Sequence, residues 1–395
     1  MSARRPALDI AVAGGGMVGA ACALILARRG FAVALLEARE PAAWVAGEPE
    51  DLRVIALAPS SARLLDELGV WRRIESSRVS PYRRMQVWDA ASGAEIAFDA
   101  TRDGRAQIGW IVENKLVAWM LWNALDAAGV RRMCPVEVAA FARREDRVTL
   151  DFEGGNSVSA AMLVIADGAG SRLRAQADVR VREHDYHQRA VVAHVATERP
   201  HEATAWQRFT REGPIALLPL VDGRSSIVWS LPEARASEIL ALDGKGFCEA
   251  AGMASDFRLG RITATTPRGS FPLKLQLART YAADRCVLLG DAAHAVHPLA
   301  GQGANLGLRD VAELVAVLGE ARDARRDFTA PHVLQRYARR RRAAATLDAR
   351  AIDSIERIFS WQAPAWAGLR GAGMRAVDAI APLKRRLSAH AQGTA

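Results

Sequence analysis

Three glycines near the start of the chain, Gly14, Gly16 and Gly19, have the spacing G-x-G-x-x-G, and Glu37 follows 23 residues after the first. In this pattern the first glycine permits a tight turn, the second lets the backbone approach a pyrophosphate, and the third allows a helix to pack closely on a strand. The N–H groups at the start of that helix attract phosphates, and Glu37 can accept hydrogen bonds from a ribose. These residues predict a dinucleotide site, without choosing between NAD and FAD.

The elements that must position these residues can be read around them. Residues 10–13 are a short apolar strand, residues 20–29 form a helix with small residues on one face, and residues 31–36 are a second apolar strand. Gly30 follows the helix as a plausible C-terminal cap. The order strand, glycine turn, helix, strand and acid is the context in which the glycine spacing has meaning.

A second glycine-rich stretch, "GDAAHAVHPLAGQGANLGLRD", covers residues 290–310. It follows the buried strand 286–289, so Gly290 and Asp291 should lie at the carboxyl end of a strand, the edge where ligands bind parallel sheets. Two glycine-rich helix starts on one sheet can hold both ends of a long ligand, and FAD is such a ligand. Asp291 could then accept hydrogen bonds from ribityl hydroxyls, and the helix N-terminus could stabilise the negative charge of a reduced flavin.

Four other residues could be cofactor contacts, as set out below, but each also has an ordinary structural interpretation. Arg53 lies in the run "RVIAL", where it could be a solvated surface charge. Asn114 lies at a strand-to-helix junction, where it could cap the helix. Asp167 and Gly168 follow a strand, where they could form an ordinary turn.

Composition excludes several classes of protein. The 395 residues, half of them hydrophobic, can form a large core and predict more than one domain. The net charge of +9 is spread along the chain without zinc-finger spacing or a basic aromatic array, so nucleic acid is not expected as a partner. The four cysteines are far apart, which indicates neither a metal site nor a redox dithiol. Buried thiols at Cys22 and Cys286 fit a reducing, cytoplasmic location.

The quoted motifs resemble the class A flavin-dependent aromatic hydroxylases, typified by para-hydroxybenzoate hydroxylase. The resemblance is closer to the ubiquinone-biosynthesis hydroxylases that act on polyprenylated phenols, and it covers nearly the whole chain. Ile165 departs from it, because that family usually has glycine or alanine before Ala166. The matching stretches are GGGMVG at 14–19, DLRVIAL at 51–57, LGVW at 68–71, VEN at 112–114, ADGAGS at 166–171, WQRF at 206–209, SIVWSLP at 226–232, GDAAH at 290–294 and HPLAGQGANLGLRD at 297–310.

The resemblance implies an α/β fold: a Rossmann-like FAD-binding domain, an inserted, mostly antiparallel β-sheet substrate domain, and C-terminal helices. In residues 184–269 strand-like runs alternate with turns, a pattern that also predicts a mostly antiparallel sheet. The expected limits are 1–75, 105–180 and 280–350 for the FAD-binding domain, 76–104 and 181–279 for the substrate domain, and 351–395 for the helical segment.

The resemblance also implies a role for each matching position, with FAD as cofactor and NAD(P)H as co-substrate. Gly14, Gly16, Gly19 and Glu37 would bind the ADP half of FAD. The other implied cofactor contacts are Arg53 and Asn114 near the diphosphate and ribityl chain, Asp167 and Gly168 near the pyrophosphate and the path of NAD(P)H, Asp291 on the ribityl chain, and Pro298, Gly301, Gln302, Gly303 and Asn305 around the flavin ring.

The implied reaction is FAD-dependent monooxygenation of a polyprenylated phenol with O2, expected at ring carbon C5. Neither a nucleophile nor a metal is required. His294, His297 and Pro298 are candidates near the chemistry, although the two histidines could instead form local hydrogen bonds. Hydroxylation at another ring position or of another aromatic substrate stays open, as does a non-catalytic flavoprotein within a quinone-biosynthesis complex. Other ubiquinone-biosynthesis proteins, a second copy of the chain and the inner face of the cytoplasmic membrane are further expected contacts.

The C-terminal segment predicts two helices, interrupted near Pro364 and Pro382. Met374, Val377 and Ile380 have helical spacing, and residues 384–386 are basic. One interpretation is a helix packed on the FAD-binding domain with a solvated basic face. The other is a docking surface for a partner protein or an anionic membrane.

Overall fold

The computed structural model describes residues 8–297, 302–361 and 364–393. The strands in these ranges are β1 Leu8–Ala13, β2 Val33–Leu36, β3 Val54–Leu57, β4 Val79–Tyr82, β5 Arg84–Asp89, β6 Glu95–Asp99, β7 Gly109–Glu113, β8 Arg131–Met133, β9 Val138–Arg143, β10 Val148–Phe152, β11 Ser157–Ile165, β12 Val181–Thr197, β13 Thr204–Phe209, β14 Pro214–Pro219, β15 Ser225–Pro232, β16 Ile262–Thr265, β17 Gly269–Ala278, β18 Ala282–Ala283, β19 Cys286–Leu288 and β20 His294–Ala295. The helices are α1 Met17–Arg28, α2 Pro59–Glu67, α3 Trp71–Glu75, α4 Asn114–Ala124, α5 Arg172–Gln176, α6 Glu233–Ala241, α7 Gly244–Ala254, α8 Gln302–Asp323, α9 Pro331–Ser360, α10 Pro364–Ala379 and α11 Ala381–Ala391.

The first sheet has the strand order β18-β19-β11-β1-β2-β8, with β10 and β9 added beside β11. Strands β19, β11, β1, β2 and β8 are mutually parallel. Helix α1 packs on β1 and β2 and contacts α4 and α8. Strands β1, β2 and β19 are buried almost throughout and read as continuous apolar runs. The predicted Rossmann-like unit is confirmed. Its parallel strands bring Gly14, Ala166 and Leu289 to one edge.

The second sheet follows the order β20-β17-β12-β15-β14-β13-β5-β6, with β16 also paired to β12. All its pairs are antiparallel except β13 with β5, which confirms the predicted mostly antiparallel sheet. Helices α6 and α7 cover one part of it around Phe247 and Trp229. Strands β5 and β6 form a hairpin around Ser92 and Gly93. A third, small sheet has the order β3-β7-β4.

The C-terminal helices differ from the packing first considered for them. Helix α10 contacts β6 of the second sheet rather than resting on the parallel sheet. Arg370 binds Asp89 through two 3.0 Å hydrogen bonds, and both side chains are buried. The breaks expected near Pro364 and Pro382 are present, since α10 begins at Pro364 and α11 begins one residue before Pro382. The domain limits stay predictions, and the limit set at residue 350 falls inside helix α9.

Buried thiols at Cys22 and Cys286 are confirmed, and all four cysteines are free. Burial raises the pKa of the Cys286 thiol to about 12, so this thiol stays protonated at neutral pH. Among the described residues, no helix combines the length and the apolar character that spanning a bilayer requires.

Candidate cofactor site

The first glycine turn is formed by contacts that exclude larger residues. Gly14 has φ +108°, and a Cβ there would lie 2.3 Å from the carbonyl oxygen of Ala166. A Cβ on Gly19 would lie 1.9 Å from the carbonyl oxygen of Gly14. Backbone atoms therefore take the space of both side chains, as expected where helix α1 packs closely against strands β1 and β11.

Gly16 has the opposite environment. It is exposed, and a Cβ there would meet no atom within 4 Å, so the space above the turn is open to a ligand. Gly16 is the N-cap of α1, which has neither a capping side chain nor an acidic residue in its first turn. The Glu37 carboxylate accepts a 2.5 Å hydrogen bond from the Gly15 N–H, which places it beside the turn as predicted. The start of α1 thus presents N–H groups toward open space, an arrangement that suits a phosphate.

Ile165 does not crowd this turn. Its side chain is fully buried, and its backbone pairs with Ala13 on one side and Leu288 on the other. The residue that meets Gly14 and Gly19 is the next one, Ala166. The strand end therefore has the small residue it needs, Ala166. The residue that departs from the family pattern, Ile165, lies one position earlier.

The second glycine-rich segment lies directly against the first. Gly290 has φ +57°, and a Cβ there would lie 3.2 Å from Val18 in the first turn of α1. A Cβ on Gly307 in helix α8 would lie 2.5 Å from Val18 and 3.3 Å from the Cα of Gly290. The start of α8 and the turn after β19 thus contact the start of α1. Two segments about 270 residues apart converge at one sheet edge, as the sequence predicted.

Residues 290–295 carry the chain from the first sheet into the second. Strand β19 ends at Leu288, Gly290–Ala292 form a 3-10 turn, and β20 then pairs with β17. Asp291 lies in this turn, half-buried. Within the described ranges its carboxylate has no hydrogen-bond or ion-pair partner, so both oxygens are available as acceptors for a ligand.

Asp167 and Gly168 form the predicted turn between strand β11 and helix α5, with φ +90° at Gly168. The side chain of Asp167 reaches the surface, yet desolvation by the surrounding protein raises the pKa of its carboxyl, against a lowering hydrogen bond from Ser171. Buried Arg174 donates to the carbonyl oxygens of Ala169 at 3.1 Å and Ala292 at 3.0 Å. This arginine ties the Asp167 turn to the Asp291 turn. Sequence reasoning had given it no role.

Arg53 and Asn114 are neighbours at one end of the small sheet, just before β3 and just after β7. The Asn114 N–H donates to the Arg53 carbonyl at 2.9 Å, and the Arg53 side chain is exposed. Asn114 is the first residue of α4 rather than its cap, because the N-cap is Glu113. Buried Glu113 instead accepts from Trp44, Asp51 and Arg78 and so holds the 44–51 segment on the sheet.

Asn305 joins helix α8 to the β3–α2 connection. Its amide oxygen accepts from the Ala58 N–H at 2.9 Å and the Ser61 hydroxyl at 2.8 Å, and its amide nitrogen donates to the Ala56 carbonyl at 2.8 Å. The buried side chain therefore positions the start of α8 relative to the small sheet. Direct contact of Asn305 with a cofactor stays a prediction.

A buried ionic network holds the Gly290 turn in place. Asp310 accepts from the Gly290 N–H at 2.9 Å, from His294 Nε2 at 2.6 Å and from Arg341 Nε at 2.7 Å. Asp310 and His294 are inaccessible to solvent, and Arg341 nearly so. Burial alone would raise the pKa of Asp310, but His294 and Arg341 hold that pKa below its ordinary value. This geometry gives His294 a structural partner, while a catalytic role for it stays untested.

His297 has a different environment. Its ring is buried and packs edge-on against Tyr186, with centroids 5.2 Å apart, and neither ring nitrogen has a hydrogen-bond partner among the described residues. Burial lowers the pKa of His297 to about 4, so the ring is neutral at neutral pH. Tyr186 donates a 3.2 Å hydrogen bond to Asp353 on α9. A neutral imidazole beside this phenol is available to a polar ligand group.

His297 should make the stability of the protein depend on pH. Between pH 6.5 and about 4 the unfolded chain binds a proton that the folded protein rejects, so the free energy of unfolding should fall by about 3 kcal/mol as pH drops through this window. The variant His297→Gln should lose this part of the pH dependence in chemical denaturation. The exposed His187 provides the matched control His187→Gln, which should keep it. Burial also lowers the pKa of His194. His194 is present in the native protein and in both variants, so its contribution to the pH dependence is the same in all three. An unchanged pH profile in His297→Gln would contradict the assignment.

Pro298 and Gly301 lie outside the described residues, as does the side chain of Gln302. Gly303 lies in the first turn of α8, and a Cβ there would meet no atom within 4 Å. Sequence reasoning missed Arg174, Asp310 and Arg341. Asp310 ends the matching stretch 297–310 and Arg341 lies in the basic run Arg339–Arg342, but neither pattern indicates the ion pair between them.

The residues present fit FAD. An open glycine turn at an uncapped helix start suits a diphosphate, Glu37 lies beside that turn as an acceptor for a ribose, and Asp291 offers a carboxylate to a polyhydroxyl chain. These groups share one sheet edge, next to the second sheet. A ligand that spans from a nucleotide to a flavin ring needs such an extended arrangement.

Comparison with known proteins agrees with FAD as the cofactor. The family described as FAD binding domain matches residues 7–350. The 3-demethoxyubiquinol 3-hydroxylase of Escherichia coli K12 is 37% identical, with 98% of each chain covered. The mitochondrial ubiquinone biosynthesis monooxygenase COQ6 of Xenopus tropicalis is 34% identical, with 99% of this chain and 95% of that protein covered.

Solved structures share the fold. The p-nitrophenol 4-monooxygenase PnpA of Pseudomonas putida DLL-E4 superposes with a TM-score of 0.75 at 17% identity, covering 98% of this chain and 97% of that one. Klebsiella pneumoniae HpxO, crystallised with FAD and uric acid, gives a TM-score of 0.74 at 19% identity, covering 98% and 96%. The chain therefore belongs to the FAD binding domain family, within which it is an FAD-dependent monooxygenase of the ubiquinone-biosynthesis hydroxylase group.

Proposed function

We propose that this enzyme hydroxylates the aromatic ring of a polyprenylated phenol in ubiquinone biosynthesis, using NAD(P)H and O2, with C5 as the ring position. The observation that carries the proposal is the path of residues 290–295. This segment bears Asp291, lies against the first glycine turn and continues into the second sheet. This path supports a substrate ring held by the second sheet beside the flavin.

Bound FAD supplies the redox chemistry, taking electrons from NAD(P)H and passing them to O2. We assign binding roles to the residues of this chain. The N–H groups around Gly16 bind the diphosphate, Glu37 the ribose, and Asp291 the ribityl hydroxyls. Arg174 and Asp310 act on neither ligand and instead fix the turns on which Asp167 and Asp291 lie.

The direct test uses the purified protein. It should bind FAD, and a prenylated phenol should accelerate its oxidation of NADPH and be recovered with one added oxygen by mass spectrometry. Bound FAD without any such acceleration or product would favour a non-catalytic flavoprotein. Failure to bind added FAD would exclude both.

The ring position needs a separate test. The stretches MQVWD at 85–89, TERPHEA at 197–203 and SIVWSLP at 226–232 resemble the hydroxylases that act at C5. The relative that is 37% identical is instead named for hydroxylation at position 3 of a demethoxyubiquinol. That name makes hydroxylation of a demethoxyubiquinol the second candidate. Deleting the gene and identifying the accumulated intermediate decides between them. Accumulation of a prenylphenol already oxygenated at C5 would exclude hydroxylation at C5 as the reaction of this enzyme.

We place the enzyme in the cytoplasm, because its four cysteines are free thiols. Other ubiquinone-biosynthesis proteins and a second copy of the chain stay proposed partners. Analytical ultracentrifugation of the purified protein tests self-association.

A further inference from the structure

The ends of helices α9 and α10 display apolar residues to solvent. On α9, Leu347, Ile355 and Ile358 lie on one exposed face, and on α10 the exposed residues Trp366 and Leu369 have the same one-turn spacing, with Ile380 just beyond. Trp361 and Trp366 contact each other at 4.7 Å between ring centroids, so the two stripes meet. We call Leu347, Ile355, Ile358, Trp361, Trp366, Leu369 and Ile380 the C-terminal apolar surface.

The protein beneath this surface is firmly anchored. Arg370 donates to the carbonyl oxygens of Ile358 and Trp361 while it binds Asp89 in the second sheet. On the same side, Phe359 stacks on Phe209 with ring centroids 3.8 Å apart. The junction of α9 and α10 is therefore fixed from the sheet side. Both tryptophans, each nearly half exposed, project from a rigid support rather than from an unpacked end.

The exposed, unpaired charges of the C-terminal helices are positive. Among the described residues of 347–393, Arg350, Arg375, Arg385 and Arg386 are exposed and form no ion pair. The carboxylates of the same range are turned inward or paired, and the one on an exposed residue, Asp378, binds Lys384.

We propose that the C-terminal apolar surface docks on an anionic lipid bilayer. Tryptophan is favoured at the boundary between headgroups and acyl chains, where its ring is buried and its N–H stays hydrated. Arginines around an apolar helical face attract anionic headgroups. A protein partner with an acidic rim would share the charge preference, but unpaired arginines spread over α9, α10 and α11 favour an extended anionic surface. The inference is independent of the proposed function.

The test uses the full-length, FAD-loaded protein and sedimentation with phosphatidylcholine vesicles, with or without phosphatidylglycerol. Binding should require phosphatidylglycerol, and it should weaken at least about tenfold between roughly 0.05 M and 0.5 M salt, because salt screens the arginines. The double variants Trp361→Ser/Trp366→Ser and Arg385→Glu/Arg386→Glu should each bind at least about tenfold more weakly.

Two matched controls distinguish binding through this surface from non-specific binding to vesicles. Met253→Ser removes an apolar residue that is 62% exposed on α7, and Arg211→Glu reverses an exposed charge on the second sheet. Both should bind vesicles like the native protein. Flavin content and NADPH oxidation with a phenol in detergent-free buffer should be equal in all variants, so failure of the docking proposal is separate from failure of the proposed function.

Absence of binding to phosphatidylglycerol vesicles at low salt would overturn the proposal, and so would undiminished binding by the tryptophan variant. Sedimentation velocity adds a further outcome. If the tryptophan variant turns a native dimer into a monomer and vesicles do not bind either form, the surface joins two copies of the chain and the lipid proposal is wrong.

Discussion

Replacing Asp310 by asparagine is expected to lower the free energy of unfolding by about 3–5 kcal/mol, the usual effect of removing one partner from a buried ion pair. The loss is large because Asp310 is inaccessible to solvent and serves Arg341, His294 and the Gly290 N–H together. Without its charge, the guanidinium of Arg341 stays buried with no carboxylate. Urea denaturation of the apoprotein measures the effect without any contribution from bound flavin.

The same pair of helices provides the control. Glu313 on α8 binds Arg340 on α9 at 2.8 Å, but Arg340 is half exposed, so Glu313→Gln should cost less than about 1 kcal/mol. The two substitutions make the same chemical change in the same helix pair and differ in burial. If Asp310→Asn costs no more than Glu313→Gln, the network does not support the turn.

The effect of Asp310 has a defined pH dependence. Its pKa is lower in the folded protein than in the unfolded chain, so its contribution is present above the ordinary carboxyl pKa of about 3.9 and is lost as pH falls through the folded value. The difference in stability between native protein and Asp310→Asn should therefore shrink below about pH 4. His297 changes the stability at higher pH, which keeps the two effects distinguishable.

Replacing Asp291 by alanine is expected to weaken FAD binding by about ten- to a hundredfold, because hydrogen bonds to a charged group contribute about 1.5–3 kcal/mol. The chain should stay folded, since the half-buried carboxylate has no partner among the described residues. Fluorescence titration of the apoprotein with FAD measures the affinity. Circular dichroism checks the fold.

Asp284 is the matched control for Asp291. Asp284 lies just before strand β19, whereas Asp291 lies just after it. Asp284→Ala removes an exposed carboxylate from the opposite end of the strand and should leave FAD affinity unchanged. Equal affinities of the Asp291 and Asp284 variants would refute the role assigned to Asp291.

The glycine turns could be predicted because their requirements are local. Gly14 and Gly290 adopt positive φ, and Gly19 faces a carbonyl oxygen, so only glycine fits and the sequence shows the constraint directly. The antiparallel sheet was predictable for a related reason, since its strands alternate with turns. The resemblance then connected the two glycine segments to one cofactor.

The supporting contacts could not be predicted because their partners are remote in sequence. Asn305 binds residues almost 250 positions earlier, and Arg174 binds Ala292 across 118 positions. Nothing in the run Arg339–Arg342 distinguishes Arg341, which is buried on Asp310, from Arg340, which is half exposed on Glu313. The packing of α10 on β6 was missed for the same reason, because the pairing of Arg370 with Asp89 exists only in the folded chain.

The position of strand β19 determines when the enzyme can become complete during synthesis. Residues 163–165 of β11 pair with Cys286–Leu288, so this buried edge has no partner until the ribosome has added about 120 more residues, which takes on the order of ten seconds. During that interval the nascent chain exposes an apolar strand edge of the kind that chaperones shield. With the role proposed for Asp291, capture of the flavin would come later still, once Asp291 and helix α8 have left the ribosome. A chain terminated before residue 286 carries the first glycine turn without a completed sheet to support it.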